Sequence, residues 1–288
     1  MKLMRYGRKG HEKPAVLDSQ GRVRDLSALL PDITAATLTP EGLEALAAVD
    51  ANKLPIIDKP GRIAPPWSGV GKFIAIGLNY SDHAAESGMA VPKEPVVFTK
   101  ATSCIVGCND AVVLPQGSVK GDWEVELGVA IGRKTRYVSE ADALHYVAGY
   151  CLINDVSERE YQLERGTQWD KGKGCDTFGP VGPWLCTRDE VPDPQALNMW
   201  LDVNGERFQT GNTKTMVFNV AQLVSYLSRF MTLHPGDLIT TGTPPGVGMG
   251  VKPNPVYLKP GDVMTLGIDG LGAQRQLVHA WQPKLIDD

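Results

Sequence analysis

The 288 residues contain no C-x-x-C pair, no apolar run long enough to cross a bilayer and no excess of basic charge. Each absence removes a class of function. Cys104, Cys108, Cys151, Cys175 and Cys186 form an odd set in a chain too large to need disulfide staples, so they read as reduced thiols of a cytoplasmic protein. A zinc site on Cys104 and Cys108 lacks a second pair of ligands downstream. With no apolar stretch approaching ~18 residues, no membrane-spanning helix is expected. The charged stretch from Met1 to Pro14 also lacks the apolar core of a signal peptide. Lysine and arginine number 29 against 33 acids, a formal net charge of -4, which leaves no clustered basic surface for nucleic acid.

What is present is an ordinary globular composition, 42% hydrophobic and 22% charged, in a chain able to bury a sizeable core. Residues 1–54 read as a small N-terminal α/β domain. It begins with a strand at Lys2 to Tyr6, then a hairpin turned at Ser19-Gln20-Gly21, then a helix from Pro40 capped by Thr39. Residues 55–71, with Pro55, Pro60, Pro65 and Pro66, read as a linker. From 72 to 288 short β-rich runs alternate with Gly and Pro, among them Phe73 to Ile76, Trp123 to Ile131, Ala148 to Ile153 and Val263 to Ile268. Asn204-Gly205 marks a type I′ hairpin, and Val220 to Met231 carries one apolar helical stripe with Asn219 as its cap. The expected fold is α+β and β-dominated.

In Asp122-Trp123-Glu124-Val125-Glu126-Leu127, period two sets the acids on one strand face and the apolar residues on the other. Glu124 and Glu126 then stand roughly 6.5 Å apart at Cα and repel unless they are solvated or share a cation. A wet strand face is the plainer reading. The run Ala148 to Ile153, apolar on both faces, ends in Asn154-Asp155, and an acid emerging from a buried strand suggests a pocket. If the two strands are neighbours, Asp155 completes an all-oxygen site suited to Mg²⁺ or Mn²⁺.

Other constellations are softer. Ser81 or Asp82 can cap a short helix ended by Gly88, on which His83 and Glu86 face together as a base and its orienting carboxylate; an exposed i,i+3 pair is the alternative. Such a short helix is expected to be a lid ordered by ligand. Lys171-Gly172-Lys173-Gly174 reads either as a glycine-flanked approach of lysine to a ligand or as a solvated loop. Thr240 to Gly248 offers backbone N–H groups and hydroxyls as a carboxylate cradle.

Taken in order, these motifs resemble the fumarylacetoacetate hydrolase superfamily from Phe73 to the C-terminus. The matching stretches are Ile76-Gly77-Leu78-Asn79-Tyr80 with His83 and Glu86, then Trp123 to Gly128 and Asn154 to Arg159. Lys173 to Pro180 and Thr241 to Gly248 complete them. The resemblance implies a mixed β-sandwich roll with a small N-terminal domain, usually a homodimer. It further implies Glu124, Glu126 and Asp155 as ligands of Mg²⁺ or Mn²⁺, and His83 with Glu86 as a water-activating dyad. Lys173 is implied as an oxyanion donor, and Tyr80, Arg159, Gln162 and Thr243 as substrate contacts. Asp122 stays outside the ligand set, and Leu78 stands where relatives often have arginine.

The implied activity is metal-dependent hydrolysis of a C–C bond in a 2,4-diketo acid of the acylpyruvate type, releasing pyruvate and a short hydroxy acid. The stretch from Tyr150 to Pro183 looks most like hydrolases of 2,4-diketo-3-deoxy sugar acids from rhamnose or fucose breakdown. Ureidoglycolate lyase, or a homoprotocatechuate-pathway isomerase or decarboxylase, would use the same scaffold. A non-catalytic small-acid-binding protein is the reading from outside enzymology. In every case the expected partner is a small carboxylate.

Overall fold

Val125–Ile131 and Val147–Asn154 are buried on both faces along their whole length, as near-continuous apolar runs require. In the computed structural model, which describes residues 1–82 and 91–282, they form the centre of a twelve-stranded mixed sheet. The pair is antiparallel, with Val125 opposite Asn154 and Leu127 opposite Leu152. Leu238–Thr240 joins the other side of Val125–Ile131, Phe73–Gly77 runs parallel to it, and Val96–Lys100 closes that edge. In the opposite direction Leu185–Thr187 connects Val147–Asn154 to Lys2–Tyr6. The hairpin Lys13–Leu17 and Val23–Asp25 follows, so the N-terminal strands are hydrogen-bonded into the sheet that carries the carboxylates.

A second, five-stranded sheet runs Glu206–Asn212, Asn198–Val203, Val263–Ile268, Gly272–His279, Val112–Val113. Side-chain alternation decides what each face of the main sheet meets. Leu127, Leu152 and Ile239 share one core with Leu201 and Leu266 of the second sheet and with Leu223 and Leu227 of the helix Val220–Phe230. Their neighbours Ala130, Cys151, Ile153 and Leu238 point the other way, into a core with Leu3, Val16 and Leu38. The fold is therefore sheet-dominated α+β, and the described strands close no barrel.

Local signals act where the sequence places them. Asn204 and Gly205 take φ of 53° and 82°, the left-handed pair a type I′ turn needs. Asn219 and Gln222 form a capping box, and Thr39 accepts from Gly42 N. One expectation is corrected: the run from Trp123 to Ile131 is not one strand. Gly121–Asp122 pairs with Ser157–Glu158, and Trp123 and Glu124 belong to neither ladder. Side chains cause the break, since Trp123 Nε1 donates to the Gly246 carbonyl and Glu124 N donates to Asn154 Oδ1. No helix among the described residues is long and apolar enough to cross a membrane.

Candidate metal centre

Three carboxylates meet where the central strand pair ends. Because Asn154 lies opposite Val125, Asp155 leaves its strand beside Glu124, and its N–H donates to the Glu124 carbonyl at 2.9 Å. One oxygen from each of Glu124, Glu126 and Asp155 lies within 4.8 Å of the others. The residues are 6%, 1% and 0% exposed, which overturns the plainer reading of a wet strand face. Carboxylates this close and this dry need positive charge or a proton between them, and three carboxylate oxygens are a donor set that can hold a hard dication.

Three protein cations already crowd the cluster. Lys173 Nζ donates to Glu124 Oε2 at 2.7 Å and to Asp155 Oδ2 at 2.9 Å. It belongs to the four-residue helix Asp170–Lys173, which packs against Arg159–Leu163. A Cβ at Gly172 would stand 2.3 Å from the Glu158 carbonyl, so the glycine admits the neighbouring helix rather than a ligand. Arg159 Nε donates to Asp122 Oδ2 at 2.8 Å, and its guanidinium lies 2.7 Å from Glu124 Oε1. Lys100 Nζ lies 2.6 Å from Asp155 Oδ1 but outside hydrogen-bond angles, so that buried oxygen has an ion pair and no hydrogen bond.

The electrostatics split the two glutamates. Burial alone would raise the Glu124 carboxyl, but Lys173 and Arg159 outweigh it and hold the group well below the usual carboxylate range. Glu126 is pushed far up, first by burial and then by the charges of Asp155 and Glu124. No lysine or arginine among the described residues pairs with it; its Oε2 accepts from the Thr240 hydroxyl and from Gly242 N at 2.8 Å. The expected carboxylate cradle after Leu238–Thr240 therefore holds a protein carboxylate. Gly242 is required there, since φ is 97° and a Cβ would meet Asn79 Cβ at 2.8 Å.

A cavity of about 280 Å³ opens over the cluster. Glu124, Glu126, Lys173, Arg159, Gln162 and Thr243 form its polar side; Ile76, Leu78, Phe98, Leu163, Trp169 and Met249 form the rest, with Lys252 among the lining residues. Asp155 is outside that wall and fully buried. Of the expected substrate contacts, Arg159, Gln162 and Thr243 are brought together and Tyr80 is not. Tyr80 is 0% exposed, and its hydroxyl donates to Met199 Sδ at 3.2 Å. His83 and Glu86 lie outside the described residues. A larger cleft of about 890 Å³ is lined by Arg5, Glu12, Arg62 and Asp110, but its arginines are already paired with Asp32, Glu12 and Asp110.

One participant, Lys100, escaped the sequence reading, and another, Asp122, was placed outside the ligand set without a role of its own. Lys100 shares the buried face of Phe98 at the end of Val96–Lys100, and a lysine on the inward register of a strand was the available signal. Asp122, 0% exposed and outside the carboxylate triad, accepts from Arg159, Gly248 N and Met249 N. It thus fixes both the guanidinium and the loop that carries Met249.

Comparison with known proteins agrees with this architecture. Residues 72–279 match the family described as fumarylacetoacetate (FAA) hydrolase C-terminal. A relative from Burkholderia multivorans, whose name says hydrolase and gives no substrate, is 65% identical over 280 residues, 97% of this chain and 99% of its own. The fumarylacetoacetate hydrolase of psychrophilic Exiguobacterium antarcticum superposes with a TM-score of 0.87 at 36% identity, covering 98% of this chain and 100% of that one. The maleylpyruvate hydrolase of Sphingobium sp. SYK-6, solved with manganese(II) and pyruvate, gives 0.81 at 29% identity with the same coverage, 98% and 100%.

Proposed function

The chain belongs to the fumarylacetoacetate hydrolase family, and from that premise we propose that it is a divalent-metal-dependent C–C hydrolase of acylpyruvate-type 2,4-diketo acids. The observation that carries the reading is the dry triad of Glu124, Glu126 and Asp155 beside the cavity, with no lysine or arginine among the described residues ion-paired to Glu126. Mg²⁺ or Mn²⁺ held by these three would supply Lewis-acid polarisation of the substrate's carboxylate and 2-oxo end.

The remaining work falls to side chains. Lys173 spends two of its three N–H bonds on Glu124 and Asp155, which leaves one to donate to an oxyanion. His83, steadied by Glu86, takes a proton from water, whose oxygen bonds to C4. The C3–C4 bond breaks with its electron pair staying on C3, which then takes up a proton to give pyruvate, while C4 departs as the second carboxylic acid. With Glu126 ionised, four carboxylates against three protein cations sum to one negative charge, so a bound dication turns the cluster one positive and favours an anionic substrate.

Within this class, the stretch from Tyr150 to Pro183 supports a 2,4-diketo-3-deoxy sugar acid as substrate. The test is pyruvate release from a panel of acylpyruvates, that sugar acid and ureidoglycolate, with Mg²⁺ and with chelator. Chelator-sensitive pyruvate release that His83→Ala abolishes supports the proposal. Glyoxylate from ureidoglycolate alone, or isomerisation without cleavage, overturns it.

A further inference from the structure

Lys173 stands between Gly172 and Gly174 at the end of the four-residue helix Asp170–Lys173, whose N-cap residue Trp169 makes no side-chain capping bond. A single turn is not stable by itself, and glycine on both sides leaves the backbone freer still. The position of the Lys173 ammonium is therefore set from outside the helix. On one flank Gly172 packs against Glu158 and Gln162. On the other, three consecutive residues of Val96–Lys100 hold the helix. Phe98 packs edge-on against Trp169 with ring centroids 5.4 Å apart, and Lys173 Nζ lies 5.3 Å from the centre of the same Phe98 ring. Lys100 Nζ donates to the Lys173 carbonyl.

The middle residue, Thr99, makes the remaining link. Val96–Lys100 is the last strand of its sheet and pairs with Phe73–Gly77 on one edge. On the other edge Asp170 takes the place of a next strand: its Oδ1 accepts from Thr99 N at 2.9 Å and from the Thr99 hydroxyl at 2.6 Å. Both donors end on one carboxylate oxygen, which makes these the stronger, charge-assisted kind of hydrogen bond. Neither Thr99 nor Asp170 lines the cavity. Any effect of the pair on the site has to pass through the helix.

We propose that Asp170 is a positioning residue: by taking both Thr99 donors it ties the helix to the sheet edge and aims the third Lys173 N–H at the cavity. The role rests on the reading of Lys173 as the donor to a substrate oxyanion. Two Lys173 N–H bonds run to Glu124 and Asp155 at 2.7 and 2.9 Å, so a small shift of the helix lengthens them and re-aims the third. Lys100 also holds the helix, but it pairs with Asp155 directly, and replacing it changes the charge of the cluster. Asp170 separates positioning from charge.

The test is the calorimetric affinity of the full-length, Mg²⁺-loaded protein for oxalate, an inert planar dianion shaped like the enolate of pyruvate. Asp170→Ala should weaken oxalate by about tenfold, the scale of a lost charge-assisted hydrogen bond. Asp170→Asn carries no charge, but its amide oxygen still accepts both Thr99 donors, so it should stay within about twofold of wild type. Thr99→Val, which lacks the hydroxyl alone, should fall between the two. Adding Asp170→Ala to Lys173→Met should cost nothing beyond Lys173→Met itself, because both act through one ammonium group. A merely structural contact would lower the melting temperature and leave these affinities in place. Asp170→Ala with wild-type affinity, Asp170→Asn as weak as Asp170→Ala, additive losses in the double variant, or a wild type that binds no oxalate overturns the proposal. If Asp170→Ala does not fold, Thr99→Val with wild-type affinity overturns it equally. Pyruvate release from acylpyruvates is scored separately. Its absence alongside the expected order of oxalate affinities sinks the hydrolase reading and leaves the role of Asp170 standing.

Discussion

Replacing Lys100 with methionine isolates the pairing of a buried lysine with a carboxylate of the triad. The side chains of Lys100 and Asp155 are 0% and 1% exposed with Nζ and Oδ1 2.6 Å apart, and Nζ also donates to the Val156 and Lys173 carbonyls. Methionine has similar reach and no charge, so Asp155 keeps only Lys173, and the cluster loses one positive charge. Breaking a buried pair from one side costs about 3–5 kcal/mol, because the remaining charge is left uncompensated. For a chain of this size each kcal/mol is worth about 2 °C, so the chelated variant should melt about 6–10 °C below wild type. With saturating Mg²⁺ the gap should shrink to less than half, since Asp155 regains a cation. Calorimetric scans of both proteins, with chelator and with Mg²⁺, give the four numbers needed. A metal-independent gap, or a chelated Lys100→Met within a degree or two of wild type, would refute the reasoning.

Glu126→Gln should keep its hydrogen bonds from Thr240 and Gly242 and remain folded, yet lose most of the Mg²⁺-induced rise in melting temperature. A full rise would place the metal elsewhere. Gly77→Ala puts a Cβ 2.4 Å from Trp169 Cζ3, and that ring is packed edge-on against Phe98 with centroids 5.4 Å apart. The cavity wall must move, and KM should rise by about tenfold, a loss in the range for misplaced positioning groups, with kcat changed less; an unaltered KM would remove Trp169 from the substrate site. Burial pushes the thiols of Cys104 and Cys108 up to about 11 and about 12 from an ordinary 9.0. The folded chain therefore retains protons that the unfolded chain releases. The associated stability is whole below pH 9 and is lost as pH rises through 11 and 12, at about 1.4 kcal/mol per thiol for every pH unit that the folded chain holds a proton the unfolded chain has lost. Urea midpoints between pH 8 and 11 should fall less steeply in Cys104→Ala/Cys108→Ala. Asn219→Ala removes the capping box of Val220–Phe230 for about 1 kcal/mol and should leave kinetics untouched, which denaturant curves and steady-state rates will check together.

Local and periodic features were legible in the amino acids alone because they depend on neighbours in the chain. Asn204-Gly205 fixes its turn through φ, Asn219 caps its helix through its own side chain, and the buried runs around Val129 and Leu152 announce central strands through unbroken apolarity. The carboxylates Glu124, Glu126 and Asp155 could be singled out for the same reason, each standing where a strand pattern admits an acid. Their meeting could not be read off, because it depends on the antiparallel register that sets Val125 against Asn154, a contact between residues 29 positions apart. The same holds for Lys100 and Asp122, which acquire a role only through partners far along the chain, and for Tyr80, which shares a motif with the site but turns its hydroxyl to Met199. Chemistry was set by residue type and local pattern; which charges face one another, and which are left without a counter-charge, was decided only when the strands paired and the water was excluded.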